Sequence, residues 1–196
     1  MYSLVIDTST KFLYLAIVNN EKIISQKVFE GSKNHAGNSV YQLDLMLKEN
    51  NITVDDLTAI YCGKGPGSYT GLRISVTIAK MLASFKNIKL YAVSSLYLAS
   101  SGYDNKNVAV LFDARRGNSF SACFGEVTIN DKLRDTNQFL EQVANLEDIK
   151  VVYENDFKVN PIKVMNNSTL VYDVDEFIPD YLRITEAEYN LEHNND

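Results

Sequence analysis

The 196-residue chain has no tryptophan, two cysteines, two histidines, three prolines and no glycine beyond Gly125. Each scarcity excludes something. Cys62 and Cys123 each lie in a strand-like apolar run, so they read as reduced, buried thiols of a reducing compartment and no disulfide is expected. His35 and His193 are far apart, whereas a zinc site needs clustered His, Cys or carboxylate ligands, so no metal is expected. No apolar run approaches the ~20 residues of a bilayer span, and MYSLVIDTST lacks the basic start and long apolar stretch of a secretory signal. A cytoplasmic protein without membrane contact is expected.

Basic excess is missing too. A net charge of -6 and a pI near 5.0 argue against tight, autonomous binding of nucleic acid, because a surface that tracks phosphates needs excess Lys and Arg. The charge is uneven: residues 1–103 carry ten Lys or Arg against seven Asp or Glu, and residues 104–196 nine against eighteen. Drift in solvated charge and a polarity that directs the first half toward a partner both fit this imbalance.

What is present is strand and helix periodicity. Ser3 to Ile6, Phe12 to Val18 and Lys22 to Phe29 read as three strands, the last two joined by a hairpin turn at Asn19-Asn20-Glu21. A helix from about Asn38 to Asn50 follows, with Val40, Leu43 and Leu47 on one face and Asn38 or Ser39 as cap. Leu57 to Cys62 is a buried strand, Ser68 to Phe85 a longer helix, Leu90 to Val93 a strand and Ser94 to Ser101 a short helix. This order is that of the ribonuclease-H-like unit from which actin-like ATPases are built by duplication. A second unit begins with strands at Asn107 to Phe112 and Ser119 to Val127, and continues with a helix near Asn137 to Asn145 and strands at Lys150 to Tyr153 and Thr169 to Val171; from Ala187 the tail is polar. The expected fold is α/β, of the actin-like ATPase (ASKHA) kind, with an N-terminal domain at 1–103 and a smaller, truncated one at 104–196.

The stretch Gly63-Lys64-Gly65-Pro66-Gly67-Ser68-Tyr69-Thr70-Gly71-Leu72-Arg73 leaves a strand and enters a helix. Such glycine density permits close backbone approach. One reading is an anion or nucleotide seated on the helix N-terminus against Gly65, Gly67, Ser68 and Thr70; the other is a tight turn packed against a neighbour. It is not a Walker A loop, since Lys64 precedes the glycines. Asp7, at the end of the first strand, could orient a ligand or merely cap its own loop through Thr10.

Residue by residue this stretch resembles the signature GxGPGSFTGxR of the TsaB family, with Tyr69 in place of Phe. Ile6-Asp7-Thr8-Ser9-Thr10 resembles that family's opening loop, Asn34-His35 its histidine before the first helix, and Val93-Ser94-Ser95-Leu96 its next strand exit. Asp113-Ala114-Arg115-Arg116-Gly117 matches the start of its second domain, and Pro179-Asp180-Tyr181-Leu182-Arg183 its closing motif. The resemblance implies a scaffold and activator that carries no catalytic residue. It would work with a TsaD-like catalytic subunit and a TsaE-like ATPase in threonylcarbamoyl transfer to the adenosine beside the anticodon, reaching tRNA only through the complex. It also implies homodimerisation when alone, no cofactor held by this chain by itself, and ATP or ADP at subunit junctions. TsaD carries a His-x-x-x-His pair, whereas His35 here is followed by Ser39.

The helices argue for a partner independently. Leu72, Val76, Ala79 and Ala83 form one stripe, suited to covering the sheet, while Ile74, Ile78, Leu82 and Phe85 form another, as Tyr41 and Leu45 do on the first helix. Either the helix is buried on both sides within this fold, or a partner covers the second stripe, and His35, Tyr41, Leu45, Tyr69, Arg73, Ile74, Ile78 and Leu82 make up the expected partner face. The alternatives are an independent ATP-dependent phosphotransferase of the same fold, or a homodimeric binding module without a tRNA role. Ser9 puts a Cβ where an active ATPase uses glycine, and the second domain has no glycine loop. The purified chain should therefore release no phosphate from ATP above background; turnover that disappears in Asp7→Ala would contradict this.

Overall fold

β1 (Tyr2–Asp7) is buried along nearly its whole length in the computed structural model, which describes residues 1–30 and 35–182. Leu4, Val5 and Ile6 are inaccessible to solvent, so both faces of this strand must be covered. β2 (Phe12–Asn19) and β3 (Lys22–Glu30) run antiparallel beside it. They turn through Asn20 and Glu21, both with positive φ, the two-residue hairpin geometry that matches strand twist. α1 (His35–Glu49) leads to β4 (Leu57–Gly63), parallel to β1, and α2 (Tyr69–Lys86) leads to β5 (Lys89–Val93), parallel to β4. α3 (Ser95–Ser100) ends this unit, capped by the Ser94 hydroxyl.

The same order then repeats. β6 (Asn107–Asp113), β7 (Asn118–Gly125) and β8 (Ile129–Asp135) form an antiparallel meander, and α4 (Thr136–Val143) returns the chain to β9 (Ile149–Tyr153), parallel to β6. The repeat stops there. After α5 (Pro161–Asn166) the chain forms β10 (Thr169–Leu170), which joins the first sheet beside β5 rather than the second. The sheet orders are β10-β5-β4-β1-β2-β3 and β8-β7-β6-β9. The position 103/104 lies between α3 and β6, and the chain after α5 crosses back onto the first unit.

Four apolar clusters fill the spaces between layers. Leu4, Ile6, Leu15 and Ile17 pack under α1 and α2 through Leu43, Met46, Val76 and Ala79. The opposite face of the first sheet, with Val5, Tyr14 and Ala16, meets Leu98 of α3 and Val164 of α5. Leu96 and Ala99 of α3 pack on Val110, Phe112 and Phe120 of the second sheet, whose far face is closed by Phe139 and Val143 of α4. The layers thus run α1 and α2, first sheet, α3 and α5, second sheet, α4. Cys62 and Cys123 are buried, unpaired, in different layers.

Several readings of the sequence are corrected here. Val40 does not share the inner face of α1, because Ser39, Leu43, Met46 and Leu47 occupy it and Val40 is 55% exposed. Asn38 and Ser39 lie inside α1, so neither caps it. β8 and α5 are additional elements, α5 started by Asn160, whose side chain accepts the Ile162 and Lys163 amides, with Pro161 at the first helical position.

Candidate functional site

The loop Asp7-Thr8-Ser9 after β1 and the glycine-rich turn before α2 are locked together. Asp7 Oδ1 accepts the Ser9 amide at 2.8 Å and the Ser9 hydroxyl at 2.6 Å, while Oδ2 accepts the Ser95 hydroxyl at 2.6 Å. Ser95 Oγ in turn accepts the Gly65 amide at 3.0 Å. Thr8 Oγ1 donates to the Gly71 carbonyl at 2.5 Å and accepts the Ser75 amide at 3.1 Å. The Ser68 amide donates to the Ser9 carbonyl at 2.6 Å, and the Ser68 hydroxyl caps α2 by accepting the Gly71 amide at 3.3 Å. The capping role expected for Thr10 belongs to Ser9; Thr10 Oγ1 accepts the Phe12 amide at 3.1 Å.

This contact accounts for the glycines. A methyl group at Gly71 would lie 1.9 Å from the Thr8 carbonyl oxygen, and one at Gly63 1.8 Å from Asp7 Oδ2. Gly67 and Gly65 are pressed in the same way by Ser9 and by the Asp180 carbonyl. The amides of Gly65 and Ser68, two of the four residues expected to meet an anion, are spent on Ser95 and Ser9. Thr70 is exposed on the first turn of α2. A pocket between the sheets, lined by Asp7, Ser9, Thr10, Phe12, Phe112 and Phe157 among others, measures about 10 Å³, the room of one water molecule.

The closing motif fastens the turn from outside. Asp180 donates its amide to the Lys64 carbonyl at 2.6 Å, and Tyr181 stacks on Tyr69 with ring centres 4.7 Å apart. Arg73 donates from Nε to the Tyr181 hydroxyl at 3.1 Å and lies 4.3 Å over the Tyr69 ring. Tyr69 and Arg73, both assigned to the partner face, therefore form one unit with a residue more than a hundred positions away.

The two stripes of α2 and the outer residues of α1 divide by exposure. Leu72, Val76, Ala79 and Ala83 are buried, as the sheet-facing stripe should be. Tyr41 is 57% exposed, Leu45, Ile74 and Ile78 are half-buried, and Phe85 is 80% exposed. Ile78 packs in part against the inner core, and so does Leu82. Met81, 54% exposed, takes its place on the outer stripe. Met81 escaped the sequence reading, although Ile74, Ile78, Met81 and Phe85 recur at i, i+4, i+7, i+11, the spacing of a helix–helix seam. α1 begins at His35, whose side chain lies outside the described residues, as do Asn34, Arg183 and His193. Among the described residues no helix is long and apolar enough to cross a membrane, and no three His, Cys, Asp or Glu side chains are grouped to hold a metal ion.

The duplicated ribonuclease-H-like unit with a shortened second copy is the architecture of an actin-like ATPase fold protein. Solved structures of similar fold include two from Pseudomonas aeruginosa, an uncharacterized protein with similarity to peptidase YeaZ (TM-score 0.76, 19% identity, 93% of this chain, 99% of that one) and YeaZ (TM-score 0.74, 19% identity, 92% and 99%). The family described as "TsaD: tRNA N6-adenosine threonylcarbamoyltransferase" matches residues 20–189. The chain is 30% identical, over 96% of both chains, to the tRNA threonylcarbamoyladenosine biosynthesis protein TsaB of Bacillus subtilis. It is also 31% identical over 62% of its length to 54% of TsaB from Escherichia coli. The chain belongs to the TsaB family.

Burial pushes the Asp7 carboxyl above its ordinary value of 3.8, against the pull of the bonds from Ser9 and Ser95. For an acid whose folded pKa is raised, ionisation costs stability: nothing is lost below the unfolded value, and the loss grows as pH climbs from there to the folded value. Asp7→Asn cannot ionise. Its unfolding free energy, relative to the native chain, should therefore rise as pH climbs above the ordinary carboxyl value and level off once pH passes the raised folded value in urea titrations. A difference independent of pH would show that the carboxyl is not strained by burial.

Proposed function

We propose that this chain acts in tRNA threonylcarbamoyladenosine biosynthesis as a non-catalytic scaffold and activator. The observation that carries the proposal is the apolar outer face of α1 and α2 on a member of the TsaB family. Val40, Tyr41, Met81 and Phe85 present large apolar surface with no core of their own to cover. Burying a side chain such as Phe85 or Met81 against another chain is worth about 1.5–3 kcal/mol, a strong inducement to helix-on-helix packing. The fitting partner is a TsaD-like catalytic subunit presenting a matching helix pair, with a second copy of this chain on the same face when that subunit is absent.

The chemistry then belongs to the partner. Asp7 spends both carboxylate oxygens on Ser9 and Ser95, and the amides of Gly65 and Ser68 are taken up by the fold. Ligand recognition by this chain alone is thereby disfavoured, and ATP or ADP is assigned to a junction between subunits. A TsaE-like ATPase completes the assembly, tRNA is reached only within it, and the location is the cytoplasm.

Two changes on α2 separate folding from association. Phe85→Glu, at a position 80% exposed, should leave a folded chain, by circular dichroism, that no longer elutes with a TsaD-like subunit or with itself. Val76→Glu puts an unpaired carboxylate into the core under α2 and should lower stability by several kcal/mol, about 3 or more. If both variants fold and still form the complex, the partner docks elsewhere.

A further inference from the structure

α2 carries Arg73, Lys80 and Lys86 and no Asp or Glu. Lys86 pairs with Asp55 at 2.6 Å, and Lys80 donates to the Asp175 carbonyl at 2.7 Å. Arg73 has no carboxylate among the described residues, and the titratable groups that bear on its charge are Tyr181 and Tyr69. It is nonetheless held in one place. The Tyr69 ring lies under the guanidinium at 4.3 Å, Nε donates to the Tyr181 hydroxyl at 3.1 Å, and the two rings stack with centres 4.7 Å apart. Of the five N–H donors of a guanidinium only the one on Nε is engaged, so the fork of terminal amino groups stays open on an exposed side chain. Ordering a long cation costs side-chain entropy, and a planar fork fixed in advance recovers that cost only when a matching acceptor docks.

We propose that Arg73 is the polar anchor of the partner face, a preset fork for a carboxylate of the docking catalytic subunit, and that Tyr181 is its positioning residue. The inference deepens the scaffold reading given above and rests on it. Arg73, Thr77, Met81 and Phe85 follow one another at i, i+4, i+8 and i+12, and all four are exposed. They form one ridge, the unit by which a helix enters the groove of another. Its far end is apolar and its near end is a cation, so a chain seated over Met81 and Phe85 runs on to Arg73. Charge complementarity says what that chain carries. A second copy fits poorly, because its own α2 has no acidic residue and Asp44 and Glu49 of α1 are already paired with Lys48 and Lys27. A different chain with a free carboxylate at the end of an apolar groove satisfies the fork, and a planar guanidinium binds such a group bidentately. Arg73 thereby favours the heteromeric partner over self-association.

The test titrates full-length variants with a purified TsaD-like subunit, at low and at high salt, without nucleotide or tRNA. Arg73→Gln should stay folded by circular dichroism and bind about tenfold more weakly at low salt, with a flatter salt dependence. Its self-association should be unchanged. Arg73→Lys keeps the charge but not the fork, so the salt dependence should remain while affinity still falls several-fold. Tyr181→Phe keeps the stacked ring and frees Nε, and should cost about threefold. The inference is overturned if Arg73→Gln binds as the native chain does, or if self-association weakens as much as binding of the subunit. It is also overturned if affinity falls with an unaltered salt dependence, as mere loosening of the C-terminal segment would cause. A loss seen only after ATP or tRNA is added would make the acceptor a phosphate and overturn it equally. A native chain that does not bind the subunit at all overturns the functional reading, and the inference with it, whereas native binding that ignores Arg73 overturns the inference alone.

Discussion

The fold turns on one contact, that of the Asp7-Thr8-Ser9 loop with the glycine-rich turn at the head of α2. Here the loop is consumed by the protein itself: Thr8 bridges the Gly71 carbonyl and the Ser75 amide, Ser9 takes the Ser68 amide, and Asp7 reaches across to Ser95. Glycine is required on the far side because the approach leaves no room for a Cβ. The lock sets where α2 begins, and hence which of its sides faces the sheet and which faces outward.

That division of α2 organises the rest. Leu72, Val76, Ala79 and Ala83 seal the first core, whereas Met81 and Phe85 are exposed, as Tyr41 of α1 is. The C-terminal segment flanks the same helix. Phe177 enters the core, Lys80 donates to the Asp175 carbonyl at 2.7 Å, and Tyr181 clamps Tyr69 and Arg73. β10 adds to the first sheet a strand that the second unit would otherwise have kept for itself. The shortened repeat thus reinforces the unit bearing the exposed apolar residues of α1 and α2.

Much of the fold was legible in the sequence because its strands carry apolar, β-branched runs and α2 a clean helical stripe. β1 to β7 fall within about two residues of their expected bounds. The failures have physical causes. β8 is an edge strand bearing Asp131, Lys132 and Arg134, charges that guard an edge and disguise a strand. α5 was announced by Asn160-Pro161 but is too short to show periodicity. Val40 misled because its spacing to Leu43 and Leu47 fits a stripe, whereas Ser39 and Met46 fill the inner face. The candidate site was legible in its residue types but not in its bonds, which join positions 63 to 108 residues apart. No local pattern encodes such pairings.

The central claim, that the glycine-rich turn exists to receive the opening loop, is tested most directly at Gly71. Were the site only a helical turn with open space beside it, Gly71→Ala would stabilise the chain by about 1 kcal/mol through helix propensity. With the Thr8 carbonyl oxygen 1.9 Å from the new methyl group, the backbone must move apart, and a loss of about 2 kcal/mol or more is expected. Equilibrium urea unfolding of the two proteins decides the sign: a less stable Gly71→Ala supports the lock, and an equal or more stable one contradicts it.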